Sequence, residues 1–289
     1  MATKKKPDLD ELRRIALTGV LSNDALAERL VLKGGNALRL GHGVSQRASM
    51  DLDFSMAGDF DSPDEAKTSL FHGLTERFDT HGLVLIDPKF AAKPEKPPAE
   101  DPNWGGYQIS FKLISRERHE TLKNNPQKAI IEAMIVNPAG SNVMSIDISK
   151  HEFISAEETN TISINGFECK VYSLRLIVAE KLRAIVQQMP DAPPESRQSR
   201  RPRDFFDIYT VCNGKEAEIL GDNFLNLLSQ VFLAKNTPIR LLADISKYRS
   251  WHEDAWPSVR DTAPSAGDDF GPYFDYIVNL ANRYIPSGT

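Results

Sequence analysis

Two aspartates, Asp51 and Asp53, lie one residue apart in an Asp-Leu-Asp-Phe segment. On a short strand successive side chains alternate between the two faces, so both carboxylates would lie on one face while Leu52 and Phe54 enter the core. Adjacent carboxylates repel each other, and a divalent cation removes that repulsion. The segment therefore predicts metal ligands, although an isolated Asp-X-Asp pair is more often solvated or caps a helix.

A second segment, which could bind an anion, precedes this pair. An apolar run ending at Leu32 is followed by Lys33, Gly34, Gly35 and Asn36. A glycine pair lets a strand turn tightly into a helix and leaves backbone N–H groups free to bind an anion. The pattern predicts a phosphate site, and the alternative is an ordinary turn.

Asp147 is a further candidate, in a segment that is expected to form a short strand at residues 143–148. It stands between Ile146 and Ile148. A lone carboxylate in an apolar strand is unfavourable unless it is paired or binds a ligand. Asp147 is therefore expected either to ligate an ion or to lie on the surface of an edge strand.

Residues 33–38 (Lys-Gly-Gly-Asn-Ala-Leu) and 47–54 (Arg-Ala-Ser-Met-Asp-Leu-Asp-Phe) together resemble nucleotidyltransferases with a palm of the DNA polymerase β type. Within that superfamily they resemble the AbiEii/AbiGii toxins of type IV toxin–antitoxin systems. Residues 180–182 (Glu-Lys-Leu) and 203–209 (Arg-Asp-Phe-Phe-Asp-Ile-Tyr) resemble two later motifs of the same family. Asn36 stands where the superfamily usually has Ser and this family often has Thr.

The resemblance implies a metal-dependent transfer of a nucleotide from an NTP to an RNA acceptor, expected to be a tRNA 3′ end. It also implies Mg²⁺ or Mn²⁺ as cofactor and a cognate antitoxin as partner. The implied metal ligands are Asp51, Asp53 and Asp147. The implied nucleotide-binding residues are Lys33, Gly34, Gly35, Asn36, Arg47, Ser49 and Lys181. The implied catalytic residues are Asp51, Asp53, Asp147, Lys181 and Asp204, with Asp207 in support.

The C-terminal half carries candidate residues whose roles stay open. Lys181 is either a phosphate-binding ammonium or a surface lysine. Asp204 is either a base or an orienting group, and with Asp207 it could instead be the partner of a helix N-terminal dipole. A group of arginines after a proline-rich segment is either an RNA-binding loop or a solvated charge run. Its members are Arg197, Arg200, Arg201 and Arg203.

The periodicity of hydrophobic residues predicts a mixed α+β fold. Short alternating or apolar segments predict strands, with Asn165 and Gly166 in a hairpin turn. A capped helix beginning after Ser173 opens a region of helical periodicity. Together with the resemblance, this predicts a nucleotidyltransferase palm at residues 1–172, with a mixed β-sheet flanked by helices, and a mostly α-helical domain at residues 173–289.

The composition is that of a globular protein. The chain has 289 residues, 40% of them hydrophobic, and a net charge of −5, which argues against broad coating of nucleic acid but leaves a local basic groove open. No apolar run approaches the ~20 residues of a membrane span. The charged start of the chain lacks a signal-peptide core, so we expect a cytoplasmic protein without membrane contact. Cys169 and Cys212 have no Cys or His neighbours at metal spacing and are expected to be buried thiols.

Two other functions fit the same motifs. A nucleotidyltransferase of this fold could act on a small molecule or a protein. RNA requires a basic track around the metals, whereas a cationic drug requires an acidic pocket. The chain could also be a non-catalytic module that binds a nucleotide or a partner, and the presence of all three aspartates argues against that function.

Overall fold

The computed structural model describes residues 8–44, 51–97, 104–137, 140–192 and 198–285. These residues belong to two compact units. The first comprises Met1–Lys33, Met50–His151 and Thr159–Val171, and the second comprises Gly34–Ser49, Glu152–Glu158 and Tyr172–Thr289. The predicted domains have a single boundary after residue 172. In the structure, two short segments of the N-terminal half, Gly34–Ser49 and Glu152–Glu158, belong to the second unit.

The described residues form both strands and helices, which confirms the predicted mixed α/β class. The strands are β1 (Val31–Lys33), β2 (Leu52–Ser55), β3 (Leu83–Lys93), β4 (Gly106–Ser115), β5 (Met144–Ser149), β6 (Thr159–Ile164) and β7 (Phe167–Tyr172). The α-helices are α1 (Leu9–Leu21), α2 (Asp24–Arg29), α3 (Gly34–Asn36), α4 (Pro63–Thr80), α5 (Arg116–Leu122), α6 (Pro126–Ile131), α7 (Leu174–Gln187), α8 (Pro202–Cys212), α9 (Glu216–Leu220), α10 (Phe224–Leu233), α11 (Arg249–Glu253), α12 (Pro257–Arg260) and α13 (Gly271–Arg283). A π-helical turn spans Ala37–Gly41, and 3₁₀ segments span Ala156–Glu158 and Ile239–Tyr248.

The strands form one mixed sheet in the order β3-β4-β5-β2-β1-β7-β6. β1 is antiparallel to β2 and parallel to β7, β2 is parallel to β5, and β4 is antiparallel to both β3 and β5. β6 and β7 are joined through Asn165 and Gly166, whose φ angles are 49° and 84°. Positive φ at both central residues is characteristic of the predicted hairpin turn.

Alternation along the central strands separates a buried face from a polar face. Leu32 of β1 lies opposite Phe54 of β2, which lies opposite Ile148 of β5, and all three side chains are buried. On the same buried face, Phe111 of β4 packs against Phe78 of α4, with ring centroids 5.6 Å apart. The opposite face of these strands is therefore left for polar side chains.

The helices α1 and α4 approach closely at Gly19 and Gly73. A Cβ atom added to Gly73 would overlap the carbonyl oxygen of Gly19 and the Oγ of Ser22. Gly73→Ala should therefore lower the free energy of unfolding by about 1–3 kcal/mol, despite the better helix propensity of alanine. Urea unfolding measures this, with Gly58→Ala as the control because a Cβ there meets nothing within 4 Å. Equal stability of the two variants would contradict the close approach.

β3 extends further than its sequence predicts. The prolines that follow Phe90 predict an end of the strand there, yet β3 continues to Lys93, which lies opposite Gly106 of β4. The register shifts between Ile86 and Lys89. Hydrogen bonding to the long neighbouring strand outweighs the local composition, and it carries Lys93 onto the polar face of the sheet.

Aromatic side chains fill the core of the second unit. Phe205 of α8 lies with its ring centroid 5.3 Å from that of Phe270 and 5.7 Å from that of Phe274 in α13. Cys212 at the end of α8 is a buried free thiol, as is Cys169 in the first unit, which confirms both predictions. In the ranges that the structure covers, no helix is both long and apolar enough to span a membrane.

The second unit is mostly helical, as predicted. Helical periodicity predicts helices at residues 202–213, 223–235, 238–248 and 272–284. The first, second and fourth are confirmed as α8, α10 and α13, whereas residues 239–248 form a 3₁₀ segment. The short helices α9, α11 and α12 were not predicted. With four or five residues each, they are too short to show a helical period in the sequence.

Candidate active site

The candidate site of the first unit is a row of polar side chains across four neighbouring strands. Lys33 of β1 lies opposite Asp53 of β2, and Asp53 lies opposite Asp147 of β5. Asp147 in turn lies opposite Gln108 of β4. Residues at opposite register positions project from the same face of a sheet, so we call these four residues the polar row. Beside it, the Nζ of Lys33 donates a hydrogen bond to the Oγ of Ser149 over 3.0 Å.

Asp147 accepts contacts from two residues of the β3–β4 hairpin. The Nε2 of Gln108 donates a hydrogen bond to its Oδ1 over 3.1 Å, and the Nζ of Lys93 lies 3.4 Å from the same oxygen. β5 lies between β4 and β2, so the interpretation of Asp147 as an edge-strand residue is wrong. The Asp147 side chain is 32% exposed, which leaves it accessible to a ligand.

The polar row meets part of the requirement for a divalent cation. Asp53 and Asp147 supply oxygen donors at adjacent positions, and Mg²⁺ is usually held by one or two carboxylates together with substrate phosphates. Asp51 is exposed and stands directly before β2, and its predicted place on the face of Asp53 stays a prediction. Across the described ranges, no three His, Cys, Asp or Glu side chains are arranged to hold an ion. The donor chemistry of the pair fits Mg²⁺, and the set of three ligands stays a prediction.

The glycine pair after β1 makes the predicted turn from strand to helix. Gly34 has a φ of 66°, a conformation that favours glycine. Gly35 and Asn36 are buried, and α3 continues directly into the π-helical turn, a feature often found at functional sites. The turn is confirmed, whereas phosphate binding by these residues stays a prediction.

Lys181, Asp204 and Asp207 form a buried charge cluster in the second unit. The Nζ of Lys181 donates to the Oδ1 of Asp204 over 2.6 Å and to the Oδ2 of Asp207 over 2.8 Å. The Nε of Arg201 donates to the other oxygen of Asp204 over 2.5 Å. The three cluster residues are at most 7% exposed, so the interpretation of Lys181 as a surface lysine is wrong.

The neighbouring cations fix the ionisation of Asp204. Burial by itself raises the pKa of this carboxyl group, but the charges and hydrogen bonds of Arg201 and Lys181 outweigh burial and hold the pKa well below its usual value. A carboxylate stabilised in this way is a poor proton acceptor near neutral pH. Of the two roles considered for Asp204, the geometry supports the orienting group and not the base.

His252 supports the same cluster and was not predicted as a site residue. Its Nδ1 accepts a hydrogen bond from the backbone N–H of Arg201 over 3.1 Å, and its ring centroid lies 4.8 Å from that of Phe205. Burial lowers the pKa of His252 to about 4, so the ring is neutral at pH 7, as an accepting Nδ1 requires. No sequence signal joins it to Arg201, because the two residues are 51 positions apart.

Two arginines of the predicted RNA-binding loop have partners within the chain. The Nε of Arg200 donates to the carbonyl oxygen of Trp251 over 2.8 Å, and its guanidinium lies 3.3 Å from the Asp254 carboxylate. Arg201 is paired with Asp204. Part of the positive charge that suggested an RNA track is thus neutralised inside the second unit, and RNA binding by this segment stays a prediction.

The structure leaves some predicted site residues undescribed and places two further residues beside Asp147. Three predicted site residues, Arg47, Ser49 and Arg197, lie outside the described ranges. Gln108 and Lys93 were not predicted but contact Asp147. The alternation of β4 could have indicated Gln108, whereas nothing indicated Lys93, because its strand was expected to end before it.

Two solved structures are similar to this chain. A candidate nucleotidyltransferase from H. pylori superposes with a TM-score of 0.52 at 18% sequence identity, over 96% of this chain and 93% of that chain. JHP933 from Helicobacter pylori superposes with a TM-score of 0.49 at 18% identity, over 96% of this chain and 90% of that chain. The first of these shows that the chain has a nucleotidyltransferase-like fold. No curated protein sequence matches the chain significantly.

The family is defined by a match along most of the sequence. The family model described as "Nucleotidyl transferase AbiEii toxin, Type IV TA system" matches residues 15–280. The chain therefore belongs to the AbiEii family of nucleotidyltransferase toxins, which confirms the resemblance carried by the motifs.

Proposed function

We propose that this chain is a toxin that transfers a nucleotide from an NTP to an RNA, with a tRNA 3′ end as acceptor, in a reaction that depends on Mg²⁺ or Mn²⁺. The observation that supports this most is the pairing of Asp53 with Asp147 on parallel strands in a chain of the AbiEii family. As a member of a type IV toxin–antitoxin family, the protein is expected to have a cognate antitoxin as its partner.

The polar row supplies the residues that would hold the ion. Asp53 and Asp147 are the proposed ligands, with Asp51 as a third. When bound, a divalent ion neutralises the charge of a triphosphate and lowers the pKa of an acceptor hydroxyl group. Backbone N–H groups at the Gly34–Gly35 turn would bind phosphate oxygens. Lys33, Asn36, Arg47 and Ser49 complete the proposed nucleotide-binding set.

The buried cluster has a different proposed role. Lys181 is held between Asp204 and Asp207, so its ammonium is fixed in direction before any nucleotide arrives. We assign Lys181 to the phosphates and the two aspartates to its positioning. Because both oxygens of Asp204 already accept hydrogen bonds from cations, we assign the proton of the acceptor hydroxyl group to another base.

A labelling experiment tests the proposed reaction. The purified chain, with Mg²⁺, total tRNA and each of the four NTPs radiolabelled at the α-phosphate, should produce labelled RNA with at least one nucleotide. Nucleotidyl transfer keeps the α-phosphate with the nucleotide and releases pyrophosphate, so an NTP labelled at the γ-phosphate should leave the RNA unlabelled. A chelator should stop the reaction.

The alternative acceptors are outcomes of the same experiment. Label on a protein or on a small molecule would keep nucleotidyl transfer and replace RNA as the acceptor. Transfer of the γ-label would contradict nucleotidyl transfer. Undiminished labelling in chelator would contradict the metal dependence.

A further inference from the structure

The β3–β4 hairpin contributes two chemically different donors to one oxygen of Asp147. Gln108 is neutral and donates through its amide, whereas Lys93 carries a positive charge; they lie 3.1 Å and 3.4 Å from Oδ1. Among the described residues, none donates a hydrogen bond to the other oxygen, Oδ2. One oxygen of this carboxylate is thus restrained and the other stays open.

Gln108 is placed to orient the carboxylate of Asp147. It lies directly opposite Asp147 on the neighbouring strand, in the interior of the sheet, and it is partly buried. An amide donor in such a place fixes one oxygen without adding charge. Outer residues that hydrogen-bond to ligating carboxylates in this way generally orient them and raise metal affinity.

Lys93 differs from Gln108 in exposure and in charge. Its side chain is 48% exposed, and it reaches Asp147 from the end of β3, where it lies opposite Gly106. A partly exposed ion pair of this kind is weak, because water and salt screen it. A divalent cation that arrives at Asp147 would compete with the ammonium group for the same carboxylate.

We propose that Gln108 is a positioning residue for Asp147 and that Lys93 is a replaceable counter-cation, which neutralises Asp147 until a divalent cation takes its place. This inference rests on the proposed function, since it requires Asp147 to be a metal ligand. The two side chains should have opposite effects on metal binding, although both contact the same oxygen. Loss of Gln108 should weaken metal binding, and loss of Lys93 should strengthen it.

The test is a titration of the full chain with Mn²⁺ in the absence of nucleotide. The electron paramagnetic resonance signal of the free ion measures binding. Gln108→Leu should weaken Mn²⁺ binding by about tenfold, as expected for loss of a residue that orients a ligand. Lys93→Met should tighten it by about two- to fivefold, the range set by a partly exposed ion pair. Lys93→Arg, which keeps the charge, should bind Mn²⁺ like the wild type.

A matched control comes from the same strand. Lys89 projects from the same face of β3 as Lys93 but pairs with Asp87, and its side chain is 67% exposed. Lys89→Met should leave Mn²⁺ binding unchanged, so a gain in affinity from that variant as well would overturn the specific role of Lys93. Thermal unfolding of each variant in chelator separates effects on binding from effects on folding.

Asp147→Asn separates failure of this inference from failure of the proposed function. If Asp147→Asn binds Mn²⁺ like the wild type, Asp147 is not a ligand, and both the metal assignment and this inference are overturned. If Asp147→Asn loses Mn²⁺ while Gln108→Leu and Lys93→Met match the wild type, only the inference is overturned. A loss of affinity in Lys93→Met would likewise overturn the role of Lys93 as a competitor.

Discussion

Replacing Lys181 with Met should lower the free energy of unfolding by about 3–5 kcal/mol, because it leaves two buried carboxylates without their shared cation. Lys181 donates to both Asp204 and Asp207, and neither aspartate is more than 4% exposed. Arg201 still pairs with Asp204 in the variant. Urea unfolding at pH 7, monitored by circular dichroism, measures the loss.

The loss of stability in Lys181→Met should become smaller at low pH. The depressed pKa of Asp204 stabilises the fold above the pKa of an unfolded aspartate, about 3.9. As the pH falls below that value, the wild type progressively loses this contribution. The difference in stability between wild type and Lys181→Met should therefore shrink in acid.

Two variants control this prediction. Lys247→Met removes an exposed ion pair with Asp244 and should change stability little. The double variant Lys181→Met, Asp207→Asn should recover part of the loss, because it removes one of the two buried carboxylates that share Lys181. If Lys181→Met costs no more than Lys247→Met, the buried cluster contributes no net stability and its assignment as a fixed positioning device is wrong.

Local sequence signals predicted those parts of the fold and site that depend on neighbouring residues. Alternation and the glycine pair located β1, β2 and the turn at Gly34, since both are properties of a few adjacent residues. The isolation of Asp147 between two isoleucines marked it as a residue that needs a partner. That partner proved to be Gln108, on a strand whose alternation was also visible in the sequence.

Contacts between distant segments could not be predicted in the same way. The register that places Asp53 opposite Asp147 joins parallel strands far apart in the chain, and hydrophobic patterns do not specify which strands pair. The charge of Arg200 suggested an RNA track, yet its partners Trp251 and Asp254 come from a later helical region. Lys93 reaches Asp147 because pairing with β4 extends β3 beyond the limit that its own composition predicts.

The second large effect is expected at the polar row itself. Asp53→Asn and Asp147→Asn should each lower the rate of nucleotide transfer by roughly a thousandfold, because each removes an anionic donor from a site whose bound ion contributes several kcal/mol to transition-state stabilisation. Their stability in chelator should change little, since each lies at a partly exposed position. Asp61→Asn is the control, because Asp61 is an exposed aspartate of the same unit that pairs with Arg29.

The dependence of transfer on Asp53 and Asp147 is tested by the single-turnover rate of α-labelled nucleotide transfer to tRNA in saturating Mg²⁺, for the wild type and these three variants. Asp53→Asn and Asp147→Asn should both lose transfer, and Asp61→Asn should keep the wild-type rate. Wild-type rates for either polar-row variant would contradict the assignment of Asp53 and Asp147 as the pair on which transfer depends.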